Sequence, residues 1–103
     1  MDQIFRMAWG QLRQNLIEDE DDIWDAVSES FTGLTIAEQQ AWLQANLPAA
    51  ELADCKLNDR ADRYRVFLRN EEALVRPRFA AWVLTQPDDL TREEVLALVT
   101  GQN

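Results

Sequence analysis

The 103-residue chain contains no histidine. Imidazole is the usual general base near neutral pH and the commonest zinc ligand. Its absence removes the Ser-His and Cys-His nucleophile pairs and most zinc sites. Cys55 is the only cysteine, so no intrachain disulfide can form, and a thiolate metal cluster would need ligands from other chains. Three glycines and three prolines are too few for the many tight turns of a sandwich or barrel. No glycine-rich loop precedes a helix, which excludes the Walker and dinucleotide fingerprints. No apolar run approaches the ~18 to 20 residues of a membrane helix. The start, Met1-Asp2-Gln3, lacks the basic residues and apolar stretch of a secretory signal, so a cytoplasmic location is expected. The length suits a single domain spanning 1–103. An apolar fraction of 47% with 28% charged residues belongs to a folded globule rather than a disordered tail.

What the chain has is acid, and it is unevenly placed. Glu18-Asp19-Glu20-Asp21-Asp22 are five consecutive carboxylates running directly into Ile23-Trp24. Residues 1–55 carry eleven Asp/Glu against two Arg, a net of −9. Residues 56–78 carry seven Lys/Arg against four acids, a net of +3, and residues 79–103 return to −3. Such a field favours cationic partners and disfavours nucleic acid over most of the surface.

Apolar periodicity predicts an all-α fold of five to six helices. Ile4, Phe5, Ala8, Trp9, Leu12 and Leu16 fill one arc of a first helix over residues 2–17. The acidic run caps a second, where carboxylates suit the positive end of the helix dipole. Its stripe is Ile23, Trp24, Val27 and Phe31, and Gly33 is the expected left-handed stop. Thr35-Ile36-Ala37-Glu38 has the capping-box pattern and opens a third helix through Ile36, Trp42 and Leu43, ending near Asn46. Pro48 suits the first turn of a short fourth helix, with Leu52 facing inward and Cys55 beside it. Asp59 caps the longest helix, whose face is Tyr64, Phe67, Leu68, Leu74, Val75, Phe79 and Trp82. Pro77 kinks or tightly breaks it, because proline lacks the N–H and clashes with the Ala73 carbonyl. After the turn at Gln86-Pro87-Asp88-Asp89, a capping box (Thr91 with Glu94) and a hydrophobic staple (Leu90 against Val95) open a last helix closed by Gly101.

Glu18, Asp19, Glu20, Asp21 and Asp22, with Asp25, Glu29 and Trp24, form the candidate partner-binding surface. Oxygen-rich clusters are what Ca²⁺ takes, yet the calcium loop needs Gly at its sixth position and Glu at its twelfth. Counting from Asp19 gives Trp24 and Ser30; counting from Asp21 gives Ala26 and Thr32. No metal or cofactor is expected. The competing role of the run is a solvated helix cap. Trp9 and Trp82 read as core. Trp24 and Trp42 read as core or interface, with core preferred for Trp24, although a tryptophan ringed by charge is the usual composition of an interface anchor. Arg65, Arg69 and Arg76 share one side of the long helix and form a secondary basic stripe. The overall charge of −9 argues against nucleic acid there, because such binding draws on many phosphate neutralisations. These arginines are expected to pair with the acidic half, within the fold or across a homodimer.

The opening Ile4-Phe5, then Ala8-Trp9-x-x-Leu12-x-x-x-Leu16, followed by acids and Asp25-Ala26, is similar to the start of small acidic phage proteins that mimic DNA. It covers under a third of the chain, and no functional residue is carried over from it. Carboxylate-only catalysis, as in glycoside hydrolysis, needs a substrate cleft that a small helical chain does not readily supply, so no enzyme is expected. The expected function is a small inhibitor or regulator that places its acidic N-terminal half on a basic, nucleic-acid-binding protein surface. The alternative is a helical assembly subunit, adaptor or chaperone acting through self-association.

Overall fold

The computed structural model describes residues 3–101 and is all-helical among them. Seven α-helices follow one another: α1 (Gln3–Gln14), α2 (Glu20–Thr32), α3 (Ile36–Asn46), α4 (Ala49–Ala53), α5 (Arg60–Arg69), α6 (Arg76–Val83) and α7 (Leu90–Thr100). A single π-helical turn, Glu71–Val75, joins α5 to α6. The molecule measures 39 × 22 × 21 Å. No helix among the described residues is long and apolar enough to cross a membrane.

The centre of the architecture is α2, whose inner face buries Ile23, Trp24, Ala26, Val27, Ser30 and Phe31. Its two aromatic rings enter two different clusters. Trp24 meets Phe79 edge-on at 6.0 Å, and Phe79 contacts Phe5 of α1 and stacks on Trp82. Trp82 also meets Trp9 edge-on at 6.0 Å. Two turns further along, Phe31 stacks on Phe67 of α5 at 4.3 Å, and Trp42 of α3 packs edge-on against both. Offset and edge-on ring pairs add to the large apolar area each ring removes from water. One helix thus ties α1 and α6 to α3 and α5.

The second cluster rests on a buried polar chain. Arg63 is only 2% exposed. Its Nε donates to Gln39 Oε1 at 2.8 Å, its Nη1 donates to the Leu57 carbonyl at 2.8 Å, and Gln39 Nε2 donates to the Phe31 carbonyl at 3.0 Å. Gln39 of α3, held in turn by Arg63 of α5, therefore adds a second donor to a carbonyl at the C-terminal end of α2 that also accepts from Leu34 N–H at 3.1 Å.

Several boundaries differ from the sequence expectation. The first helix stops at Gln14, so Leu16 lies outside it and is 80% exposed; residue 2 of its expected span lies outside the described residues. Gly33 sits at φ −77°, ordinary right-handed backbone. The left-handed stop is at Gly101, φ 74°. Thr35 and Glu38 do form their capping box, but Ile36 faces solvent. Pro48 stands just before α4 rather than within it. On α5 the buried positions are Arg63, Val66 and Phe67, while Leu68 is exposed. That face is rotated from the expected one because Arg63 and Asn70 hide in it, each satisfied by hydrogen bonds.

The interruption of the long helix begins at Asn70, seven residues before Pro77. Val75 N–H reaches back to the Asn70 carbonyl and Arg76 N–H to the Glu71 carbonyl, each five residues away. The next donor in that series would be residue 77, a proline with no N–H. The wide turn therefore ends where its ladder runs out of donors, and Pro77 falls in the first turn of α6, where proline is tolerated.

The cap of α7 is Asp89, whose carboxylate accepts from Arg92 N–H at 2.8 Å. Leu90 is 76% exposed and forms no staple, although Val95 is fully buried. Replacing Asp89 by Ala should therefore cost about 1 kcal/mol, while Thr91→Ala should stay within about 0.5 kcal/mol of the parent. Urea midpoints of the two variants check this; the reverse order would restore Thr91 as the cap.

Candidate acidic docking surface

The five-acid run divides into three jobs. Asp19 and Asp22 build the cap of α2: Asp19 Oδ1 accepts from Asp22 N–H at 3.2 Å, and Asp22 Oδ2 accepts from the N–H groups of Glu18 and Asp19 at 2.7 and 3.3 Å. Glu20 turns back along the helix. Its Oε1 accepts from Trp24 Nε1 at 3.0 Å and from Arg76 Nη1 at 2.9 Å. The Arg76 guanidinium lies over the Trp24 ring, 4.8 Å from its centroid, a cation–π contact. Glu18 and Asp21 remain exposed.

Asp21 begins a column. Asp21, Asp25 and Glu29 follow at four-residue steps on the solvent face of α2, about 6 Å apart along the axis. No ion pair reaches any of the three among the described residues. Like charges at this spacing oppose one another by about 0.2–0.5 kcal/mol per pair, so beyond the favourable place of Asp21 in the first turn the fold does not account for the column.

Asp25 and Glu29 stand on a crest between two clefts. The larger, about 450 Å³, lies toward α5 and the π turn, with Tyr64, Leu68, Glu71 and Arg76 opposite Asp21 and Trp24. The smaller, about 250 Å³, lies toward the end of α1, with Gln11, Asn15 and the exposed Leu16. In the larger cleft, burial pushes the Glu71 carboxyl above the ordinary carboxylate range, against the pull of Arg76 and with Asp25 and Glu72 adding to the rise. Carboxylates and an exposed leucine on each side suit a cationic, partly apolar partner segment. Among the described residues no group of three or more His, Cys, Asp or Glu is placed to hold a metal ion.

Trp24 is 5% exposed and hydrogen-bonded within the fold. It lines the larger cleft from the core, the role preferred from the sequence, and little of its ring is left for a partner. The arginine stripe is divided and internally paired. Arg65 bonds Asp62 at 2.8 Å and approaches Asp54 at 3.7 Å. Arg69 bonds Asp54 at 2.7 Å and pairs with Glu51. Hydrogen bonds from Arg69 hold the carboxyls of Glu51 and Asp54 below their ordinary range, and one from Arg65 does so for Asp62. Arg76 lies on the other side of the π turn and serves Glu20. The cleft residues Tyr64 and Leu68 of α5 and Glu71 of the π turn gave no sequence signal as a site, because their meeting with α2 joins elements distant in sequence.

No protein-family model, curated protein or solved structure matches the chain.

A carboxyl whose pKa is raised on folding favours the folded state when protonated, and that contribution is lost as pH rises from the ordinary Glu range through the raised value. Glu71→Gln should therefore raise stability at neutral pH and leave it nearly unchanged in acid. Urea midpoints at the two pH values check this; equal effects at both would show that burial of the charge is not what Glu71 contributes.

Proposed function

We propose that this chain is a non-catalytic binding protein that docks the solvent face of α2 on a basic protein surface. The observation that carries this proposal is the unpaired column Asp21, Asp25 and Glu29, held rigid by a helix whose other face is anchored in both aromatic clusters. A row of negative charges about 6 Å apart suits a target whose own ligand is a polyanion, which favours the nucleic-acid-binding surface of a protein and an inhibitory or regulatory role. Self-association has less support, since Arg65, Arg69 and Arg76 already have carboxylate partners within the fold.

Within the acidic run the useful test positions are Asp21 and Asp25, because Asp22 is engaged in the helix cap. Once a partner has been captured and identified, Asp21→Lys with Asp25→Lys should slow association by about tenfold or more at low salt and flatten its salt dependence, leaving helix content unchanged. Trp24→Ala should instead lower stability by ~3–5 kcal/mol. Stopped-flow association and urea unfolding separate the two. Unchanged association kinetics in the reversed variant would reduce the column to a solvated helix face.

A further inference from the structure

We infer a second site, for a phosphate-type oxyanion on a small molecule, at Arg63 and Arg60 on the side of the molecule formed by α3 and the start of α5. Arg63 is the most deeply buried charge among the described residues, at 2% exposure, and it has no carboxylate within ion-pair distance. A guanidinium offers five N–H donors. Two hydrogen bonds, from Nε to Gln39 and from Nη1 to the Leu57 carbonyl, account for its protein partners among the described residues. Both acceptors are neutral. Buried charges in folded proteins are ordinarily paired, because removing an ion from water without a counter-charge costs several kcal/mol.

Arg63 forms part of the wall of a cleft of about 390 Å³ that Arg60, Asn58 and Thr35 also line. An adjoining cleft of about 510 Å³ shares Gln39 and Arg60. Arg60 has no ion pair among the described residues and is exposed at the rim. The Thr35 hydroxyl is engaged by Glu38 of the α3 capping box, accepting from its N–H at 3.2 Å and hydrogen-bonding its carboxylate, so it is no donor for a ligand. Asn58 Oδ1 accepts from Gln40 at 3.3 Å, leaving its NH₂ free. The opposing charges are Asp59 beside the second cleft, whose Oδ1 is occupied by Ala61 N–H at 3.0 Å, and Glu38, whose carboxylate is occupied by Thr35. Two guanidinium groups and an amide around one cleft supply more donors than a carboxylate uses. They suit the three acceptor oxygens of a phosphate group, which guanidinium recognises in bidentate fashion. The site stands apart from the acidic column and does not depend on its role.

Titration of the full chain with inorganic phosphate at constant ionic strength, followed by amide and arginine side-chain NMR, tests the assignment. Saturable shifts are expected at Asn58, Arg60 and the Arg63 Nε–H, with acetate binding more weakly. Arg60→Ala, at an exposed position, should weaken phosphate binding about tenfold without loss of fold. Asp25→Asn, on the far cleft, should leave it unchanged. Absence of saturation, equal response to acetate, or unaltered binding in Arg60→Ala would each overturn the proposal. If Arg63→Met fails to fold, the Arg60 comparison still decides it.

Discussion

Glu20 is the residue on which the arrangement of charge depends. It is the third of five consecutive acids in the chain, yet its carboxylate turns back along the helix, where it satisfies the indole N–H of Trp24 and neutralises Arg76. Without that carboxylate, a half-buried guanidinium and a buried indole would share a boundary with no acceptor, and unpaired polar groups there are costly. With it, an acidic run can lead straight into a core tryptophan. The helix then carries apolar rings on one face and carboxylates on the other, and neither face can rotate without breaking the clamp.

The clamp depends in turn on the π turn. In an unbroken α-helix, residues 65, 69 and 76 share one side, since the eleven residues from 65 to 76 complete just over three turns. The wider turn at Glu71–Val75 shifts that phase. Arg65 and Arg69 stay with Glu51 and Asp54, while Arg76 is carried round to α2. Inserted wide turns of this kind recur at functional sites. Here it also brings Glu71 against Asp25 and Glu29, creating the cleft beside the acidic column. Pro77 sets where the wide turn must end, so one residue without an N–H indirectly positions Arg76, the cation just before it.

Much of the fold was legible from local chemistry. The Thr35–Glu38 box, the Asp59 cap and the apolar stripe of α2 are short-range patterns, and each forms as the residues predict. What was not legible depends on partners distant in sequence. Arg63 counts as solvent-facing by residue type, and only Gln39 and the Leu57 carbonyl make its burial tolerable. Leu16 and Leu90 look apolar enough for the core, but the helices end or begin elsewhere, and both side chains face water. Asp89 outcompetes Thr91 as a cap because a carboxylate one turn before Arg92 N–H also meets the dipole favourably. For the candidate site, the sequence located the acids but not their division of labour, since which carboxylates remain unpaired is decided by α5 and α6.

The most direct measurement is an NMR titration of the chain with a lysine- and leucine-containing amphipathic helical peptide, mapped residue by residue at low and physiological salt. Docking on α2 predicts saturable shifts centred on Asp21, Asp25, Glu29 and Glu71, weakening as salt screens the column. Shifts centred instead on the Asp88–Glu94 region, or spread over every acid without saturation, would contradict the account.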